Sequence, residues 1–210
     1  MPAMIRRLGF VRRSGPAFLA DARGLAAIEL ALILPFAAML MSLVVYGGQD
    51  YWVQRKVTLA ATTVANIFAQ ANNTNNSTIT AAELNQILAY PNLILYPYNA
   101  TGVAVEVSQL QVTVNANGTA TGTVCGSWAN ANGTPRPTNQ QLSVDPSIAA
   151  AFSGTANNDS PNCNSTANYV VLGEVQYPFQ PTGLYFAVST MTLHDSIIMI
   201  PRVASPITVQ

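Results

Sequence analysis

The chain has few charged residues, which argues against functions that require clustered charge. Of its 210 residues, 9 are Lys or Arg and 9 are Asp or Glu. Nucleic-acid binding needs a clustered basic face, yet after Gly48 four basic residues face seven acidic ones. We therefore expect no nucleic-acid partner.

Motifs for catalysis or cofactor binding are also missing. The sequence has no nucleophile elbow, no phosphate-cradling Gly-rich loop and no His-Glu-x-x-His. Its single histidine, His194, precedes Asp195, but adjacent residues in a strand face opposite sides and cannot easily pair. Two cysteines and one distant histidine do not form a tetrahedral metal set. We expect a non-enzyme without catalytic residues, cofactor or metal, and we expect His194 at a surface or edge.

One long apolar run is present, and it reads GLAAIELALILPFAAMLMSLVVYGG over residues 24–48. About 20 apolar residues suffice to cross a bilayer, so the sequence predicts a transmembrane helix over residues 25–47. The single carboxylate in this run is Glu29. The preceding residues 1–24 form a basic leader with five arginines and one acid. By the positive-inside rule the leader is cytoplasmic, and residues 48–210 lie outside the cytoplasm.

A cleaved secretory signal is the competing interpretation of this N-terminus. Such a signal has a shorter apolar core and ends at a site with small residues, as in Ala-x-Ala. Here the run is longer, and it is followed by Gln49-Asp50-Tyr51-Trp52 rather than by small residues. Tyr46, Tyr51 and Trp52 suit an interfacial aromatic belt, which favours a retained single-pass anchor in the lipid bilayer.

The part after Gly48 predicts an α+β domain. Apolar residues at three- and four-residue spacings between Val53 and Phe68 predict that the first helix continues to about Gln70. The Asn-rich residues 72–77 predict a loop. Thr80 and Glu83 form the pattern of a capping box, which predicts a second helix that stops before Pro91.

The remaining residues predict a small antiparallel sheet. Alternating and β-branched patterns predict four strands, at residues 103–114, 119–124, 169–178 and 190–200. A turn is expected at residues 115–118, and Pro178 is expected to end the third strand. Residues 126–167 predict a long insertion with a short helix near residues 146–152. The fold class is therefore α+β, with a long transmembrane helix continuing into a periplasmic helix that packs on the sheet.

Both cysteines, Cys125 and Cys163, fall after the apolar run. An even cysteine count outside the cytoplasm favours one disulfide between them. The alternative is a pair of free buried thiols.

The start of the apolar run resembles a prepilin-type processing site. Gly24 stands at the position after which a prepilin peptidase cuts, Leu25 at the new N-terminus, and Glu29 at the fifth position of the mature chain. Leu30 stands where Flp-type pilins often have Tyr, and the chain is longer than those pilins. The closer resemblance is to TadE/TadG-like proteins of the tight-adherence pilus, carried by Gly24, Glu29, Ala31 and Pro35, with Pro201-Arg202 near the end.

This resemblance implies a pseudopilin-like, membrane-anchored assembly component of a tight-adherence (Flp, type IVb) pilus, with Glu29 as the assembly glutamate. The implied location is the bacterial inner membrane, with the C-terminal domain periplasmic and an association with the pilus. The implied partners are other pilus subunits, inner-membrane assembly proteins and the prepilin peptidase. Two alternatives remain: an uncleaved signal-anchored periplasmic binding or adaptor domain and, with less support, an anchored enzyme.

Overall fold

The structure is a computed structural model, and its contacts divide the chain into two compact units, Met1–Gly47 and Gly48–Gln210. The described residues are 22–70, 78–114, 119–145, 147–148, 163, 168–181, 189–201 and 206–210. The predicted loop at residues 72–77, the turn at 115–118 and most of the short helix near 146–152 lie outside them.

The first helix, α1, spans Ala22–Gln70 and has 49 residues. In the first unit its apolar residues occupy every face, whereas after Gly48 most of them form a single stripe. That stripe is buried and consists of Val53, Val57, Ala60, Ala61, Val64, Ala65 and Phe68. The predicted continuation of the helix to Gln70 is confirmed.

The second helix, α2, spans Ala81–Ile94 and follows the short strand β1, Thr78–Ile79. Its capping box is confirmed, because Thr80 Oγ1 accepts from Glu83 N at 3.2 Å and Glu83 Oε2 accepts from Thr80 N at 2.9 Å. The predicted end before Pro91 is wrong. Pro91 lies inside the helix and is buried, and its carbonyl accepts from Leu95 N at 3.0 Å.

Five antiparallel strands form the main sheet of the second unit, in the order β4-β3-β2-β5-β6. These strands are β2 (Ala104–Val114), β3 (Ala120–Ala129), β4 (Gln141–Val144), β5 (Tyr169–Phe179) and β6 (Met191–Met199). A last strand, β7 (Thr208–Val209), pairs with β1 in parallel. The α+β class is confirmed.

The sheet differs from the prediction in three places. First, β3 continues to Ala129, and β4 lies within the segment expected to be an insertion. Second, β5 runs through Pro178 instead of ending there. Proline has no N–H to donate to a neighbouring strand. Pairing of β2 with β5 ends at Gln176, so at Pro178 no strand on the β2 side needs that donor. Third, a register shift between Gln109 and Leu110 interrupts the pairing of β2 with β3.

The main core of the second unit lies between one face of the sheet and the buried stripe of α1. The sheet contributes buried side chains from β2 and β5, namely Val105, Val107, Val171, Val175, Tyr177 and Phe179. A second, smaller cluster includes Leu110, Val112, Val124, Val170 and Leu172. Residues of this second cluster alternate with those of the first along β2 and β5, so the two clusters occupy opposite faces of the sheet.

Candidate functional site

Within the described residues, the first unit exposes large apolar side chains along its helix. One helix in the described part of the chain is long and apolar enough to cross a membrane, and none of its most apolar stretch is buried. The exposed large side chains include Ile28, Leu32, Ile33, Leu34, Phe36, Leu40, Met41, Leu43 and Val44. Because they surround the helix, one-sided packing against a soluble domain does not account for them.

The residues predicted to form the processing and assembly site all lie in the first turns of α1. Gly24 is the third residue of the helix, and a Cβ placed on it would meet no atom within 4 Å. Leu25 follows Gly24 directly, and Glu29 comes four residues after Leu25. Glu29 is exposed and is the only residue between Arg23 and Asp50 whose side chain is charged at neutral pH.

The second unit carries a cluster of charges that the sequence analysis did not identify. Glu106 on β2 and Glu174 on β5 are direct partners in the sheet register. Arg136 joins them: its Nε and Nη2 donate to the Glu174 carboxylate at 2.8 Å and 2.7 Å, and its Nε lies 3.4 Å from Glu106 Oε1. Glu174 is 7% exposed. The guanidinium therefore offsets the repulsion between two adjacent carboxylates, one of them buried.

Asn130 fixes the loop that carries Arg136. Its side-chain oxygen accepts from Val105 N at 3.1 Å and Gly133 N at 3.0 Å, and its amide donates to Val103 O at 2.8 Å. Asn130 N also donates to Val105 O at 3.0 Å. The loop is thus attached to the start of β2. These contacts describe a structural ion pair with a supported backbone.

His194 lies on an edge strand of the sheet, as the sequence analysis expected, and it is next to this charge cluster. It is on the edge strand β6, its side chain is 45% exposed, and its Nε2 is 3.6 Å from Glu174 Oε1. Asp195 faces the other side of the strand, where its carboxylate accepts from the Thr58 hydroxyl of α1. The two neighbours do not pair, as predicted.

Cys125 and Cys163 form a disulfide, with Cα atoms 5.4 Å apart and a sequence separation of 38. The alternative of two free thiols is therefore wrong for this structure. Cys125 belongs to β3, beside the hairpin partner β2. Across the described ranges, no group of three His, Cys, Asp or Glu residues could hold a metal ion.

One signal in the sequence could have revealed the charge cluster. Glu106 and Glu174 each interrupt a strand that is otherwise rich in apolar residues. A carboxylate on a buried strand needs a partner, so a search for a cation would have led to Arg136. The loop that brings Arg136 to them was not predictable from local patterns.

The apolar surface with its one carboxylate is the feature that best indicates a function. No protein-family model, curated protein or solved structure matches the chain. The residues of the charge cluster bind one another, whereas the large apolar side chains of the first unit's helix are exposed. Exposed apolar surface of this extent is typical of a membrane-contacting or protein-contacting segment.

Proposed function

We propose that the protein is a membrane-anchored, pseudopilin-like component that assembles with the subunits of a tight-adherence pilus. The observation that carries the proposal is the fully exposed apolar helix of the first unit, with Glu29 as its only carboxylate. A carboxylate in a membrane helix is costly and is usually kept for a function. In this proposal residues 25–47 cross the bacterial inner membrane, and Glu29 acts in subunit assembly.

The insertion energy permits this anchor. The strongly apolar residues of the run contribute roughly −3 to −7 kcal/mol in total on the insertion scale. One charge costs about 2.5–3.5 kcal/mol at the bilayer centre, and less towards an end. Since Glu29 lies in the first two turns of the run, its cost does not prevent insertion.

Glu29 acquires a partner once the chain is cut after Gly24. Cleavage gives Leu25 a free α-amine, a cation at the membrane boundary. The Glu29 carboxylate of a neighbouring subunit can neutralise it, so that both charges lose their desolvation penalty together. Contacts of this head-to-tail kind propagate an open helical array.

The position of Gly24 inside α1 places a condition on processing. A peptidase needs an extended backbone at the bond that it cuts, so the helix must first unwind at Gly24. The first four N–H groups of a helix lack partners within it, and the first turn therefore frays at little cost. Gly24 favours this opening, because glycine is the ordinary residue least favourable to a helix interior.

The second unit agrees with a location outside the cytoplasm. Its disulfide is of a kind that persists in the periplasm and is rare in the cytosol. The arginines of residues 1–24 favour a cytoplasmic N-terminus. In this proposal the α+β domain is periplasmic, and prepilin peptidase and inner-membrane assembly proteins are its processing and assembly partners.

N-terminal sequencing of the mature protein from a native membrane tests the proposal. A chain that begins at Leu25 supports it. An intact basic leader would instead favour a plain signal-anchor that carries a periplasmic binding or adaptor domain. Gly24→Leu should block the cut. Gly48→Leu is the matched control, since a Cβ at either glycine meets no atom within 4 Å.

A further inference from the structure

The C-terminal end of α2 is attached to α1 through one lysine. Lys56 Nζ donates to Ile94 O at 3.3 Å and also to Tyr96 O, and it lies 5.4 Å from the centre of the Tyr98 ring. Leu95, between the two carbonyls, is 0% exposed. Residues 93–96 are therefore held beside the part of α1 that begins the second unit.

This end of the second unit exposes several large apolar side chains. Leu93 is 74% exposed and Tyr96 is 77% exposed, while Tyr51 and Trp52 of α1 are 60% and 61% exposed. Arg55 lies 5.6 Å from the centre of the Tyr51 ring. We call Tyr51, Trp52, Arg55, Leu93 and Tyr96 the interfacial patch. The large side chains of this patch stay exposed, although Leu95 between Leu93 and Tyr96 is fully buried. Exposed apolar side chains grouped in this way indicate an external partner.

The charge at this end is basic. Arg55 and Lys56 are half of the four basic residues after Gly48. Asp50, the nearest acid in the sequence, is three residues before the buried Val53 and seven before the buried Val57, so it belongs to the inward face of α1. The patch therefore combines aromatic rings and an arginine without a carboxylate among them.

We infer that the interfacial patch docks onto the headgroup layer of the bilayer and binds anionic lipid through Arg55. This inference rests on the proposed membrane anchor. Trp52 follows Val45 by seven residues, and seven helical residues extend about 10 Å. The headgroup layer begins where the hydrocarbon ends and is several ångströms thick. The patch is thus within reach of that layer by chain length alone.

The distance of the patch from the proposed span, about 10 Å by chain length, favours a bilayer over a protein as its occupant, and its composition suits that position. Trp and Tyr are enriched where membrane meets water, because their rings are apolar at one end and polar at the other. A nearby cation adds attraction to anionic headgroups. Leu93 and Tyr96 lie at the end of α2 rather than on α1. They therefore give the domain a second contact with the same membrane surface.

Spin labels on full-length protein in lipid nanodiscs test the inference. Single cysteines are introduced as Leu93→Cys, Tyr96→Cys, Leu34→Cys and Ser196→Cys, with the native disulfide intact. Ser196 is an exposed residue of β6 and serves as the aqueous control, while Leu34 reports the span itself. Collisions with oxygen and with a water-soluble nickel complex are measured in discs of phosphatidylcholine and of phosphatidylcholine with phosphatidylglycerol.

The expected result is that labels at 93 and 96 meet oxygen more and nickel less than the label at 196. A label at 34 that is buried in hydrocarbon, together with labels at 93 and 96 as aqueous as 196, overturns the inference and leaves the anchor intact. An aqueous label at 34 overturns the anchor itself. Protection at 93 and 96 that requires two protein copies in a disc also overturns the inference, because a second chain is then the occupant.

A charge variant tests the lipid preference. Phosphatidylglycerol should raise the ratio of docked to undocked label at 96, and Arg55→Gln should reduce that ratio about fivefold in the same discs. Arg55→Lys keeps the charge and should retain most of the preference. An unchanged ratio in Arg55→Gln contradicts the role given to Arg55.

Discussion

Gly173 of β5 lies directly against Ala65 of α1. A Cβ on Gly173 would come within 2.8 Å of Ala65 Cβ and within 3.1 Å of the Ala61 carbonyl oxygen. Helix and strand therefore approach most closely where both contribute their smallest side chains. This contact sets how near the buried stripe of α1 comes to the sheet, and it depends on the absence of a single side chain.

Gly173→Val should destabilise the second unit by about 1–3 kcal/mol, because added volume in a close-packed core forces the helix and the strand apart. The measurement is chemical unfolding of detergent-solubilised protein. Gly48→Ala is the control. A Cβ at that helical glycine meets no atom within 4 Å, and alanine favours helix, so this variant should be neutral or more stable. A fully stable Gly173→Val protein would refute the close contact.

Removal of the disulfide should lower stability by about 3–4 kcal/mol, the contribution expected from closing a loop of this length. The variants are Cys125→Ser and the double replacement with Cys163→Ser, compared by urea unfolding with and without reductant. Reductant should weaken the native protein and leave the double variant unchanged. Thiol labelling of denatured, unreduced protein should detect no free thiol, and two reactive thiols would contradict the bridge.

Arg136→Met should cost about 3 kcal/mol, because it leaves Glu174 buried beside Glu106 without a cation. Arg136→Lys should recover only part of the loss, since an ammonium cannot donate two parallel hydrogen bonds to one carboxylate. Arg55→Met, at an exposed position, is the control and should change the free energy of unfolding little. Equal stability of the Arg55 and Arg136 variants would show that the cluster contributes nothing.

The capping box of α2 should stabilise the protein at neutral pH and lose this contribution at acidic pH. The hydrogen bond from the Thr80 backbone, and then that from its hydroxyl, lowers the pKa of Glu83 from its ordinary value of 4.5. A lowered folded-state pKa gives stability that is present above pH 4.5 and is lost as the pH falls through the folded pKa.

Thr80→Ala removes only the hydroxyl's hydrogen bond and should therefore raise the pKa of Glu83 part of the way towards 4.5, as followed by carboxyl NMR titration, while the larger lowering by the backbone N–H remains. The loss of the N-cap itself should cost about 1 kcal/mol at neutral pH. Thr63→Ala is a control on the exposed side of α1, where the hydroxyl bonds to its own helix at Leu59 O. An unchanged Glu83 titration in Thr80→Ala would contradict the hydrogen bond from the Thr80 hydroxyl to the Glu83 carboxylate.

Periodicity predicted the helices and most of the sheet because burial imposes it directly on the sequence. The change in α1 from apolar residues on all faces to a single stripe is visible in the order of its residues, and so are the alternating residues of β2 and β5. The capping box was predictable because it needs only Thr80 and Glu83, three residues apart. Local signals of this kind do not depend on the rest of the fold.

Predictions failed where contacts distant in sequence decided the outcome. Pro91 normally ends a helix, but here it is buried with Leu84, Ile87 and Leu88, and that packing outweighs one missing hydrogen bond. Strand β4 has only four residues, too few for a clear local pattern, and it is defined by its pairing with β3. The Arg136 cluster needs three segments that only the sheet brings together.

The most direct test of the proposed function is pilus assembly with Glu29→Ala in a cell that has no second copy of the protein. The measurement is co-purification with other pilus components, alongside membrane insertion and cleavage after Gly24. We expect insertion and cleavage to persist and co-purification to be lost, because the Leu25 amine of the neighbouring subunit no longer has a carboxylate to pair with. Assembly at the wild-type level in Glu29→Ala would contradict the pseudopilin mechanism and leave a plain membrane anchor.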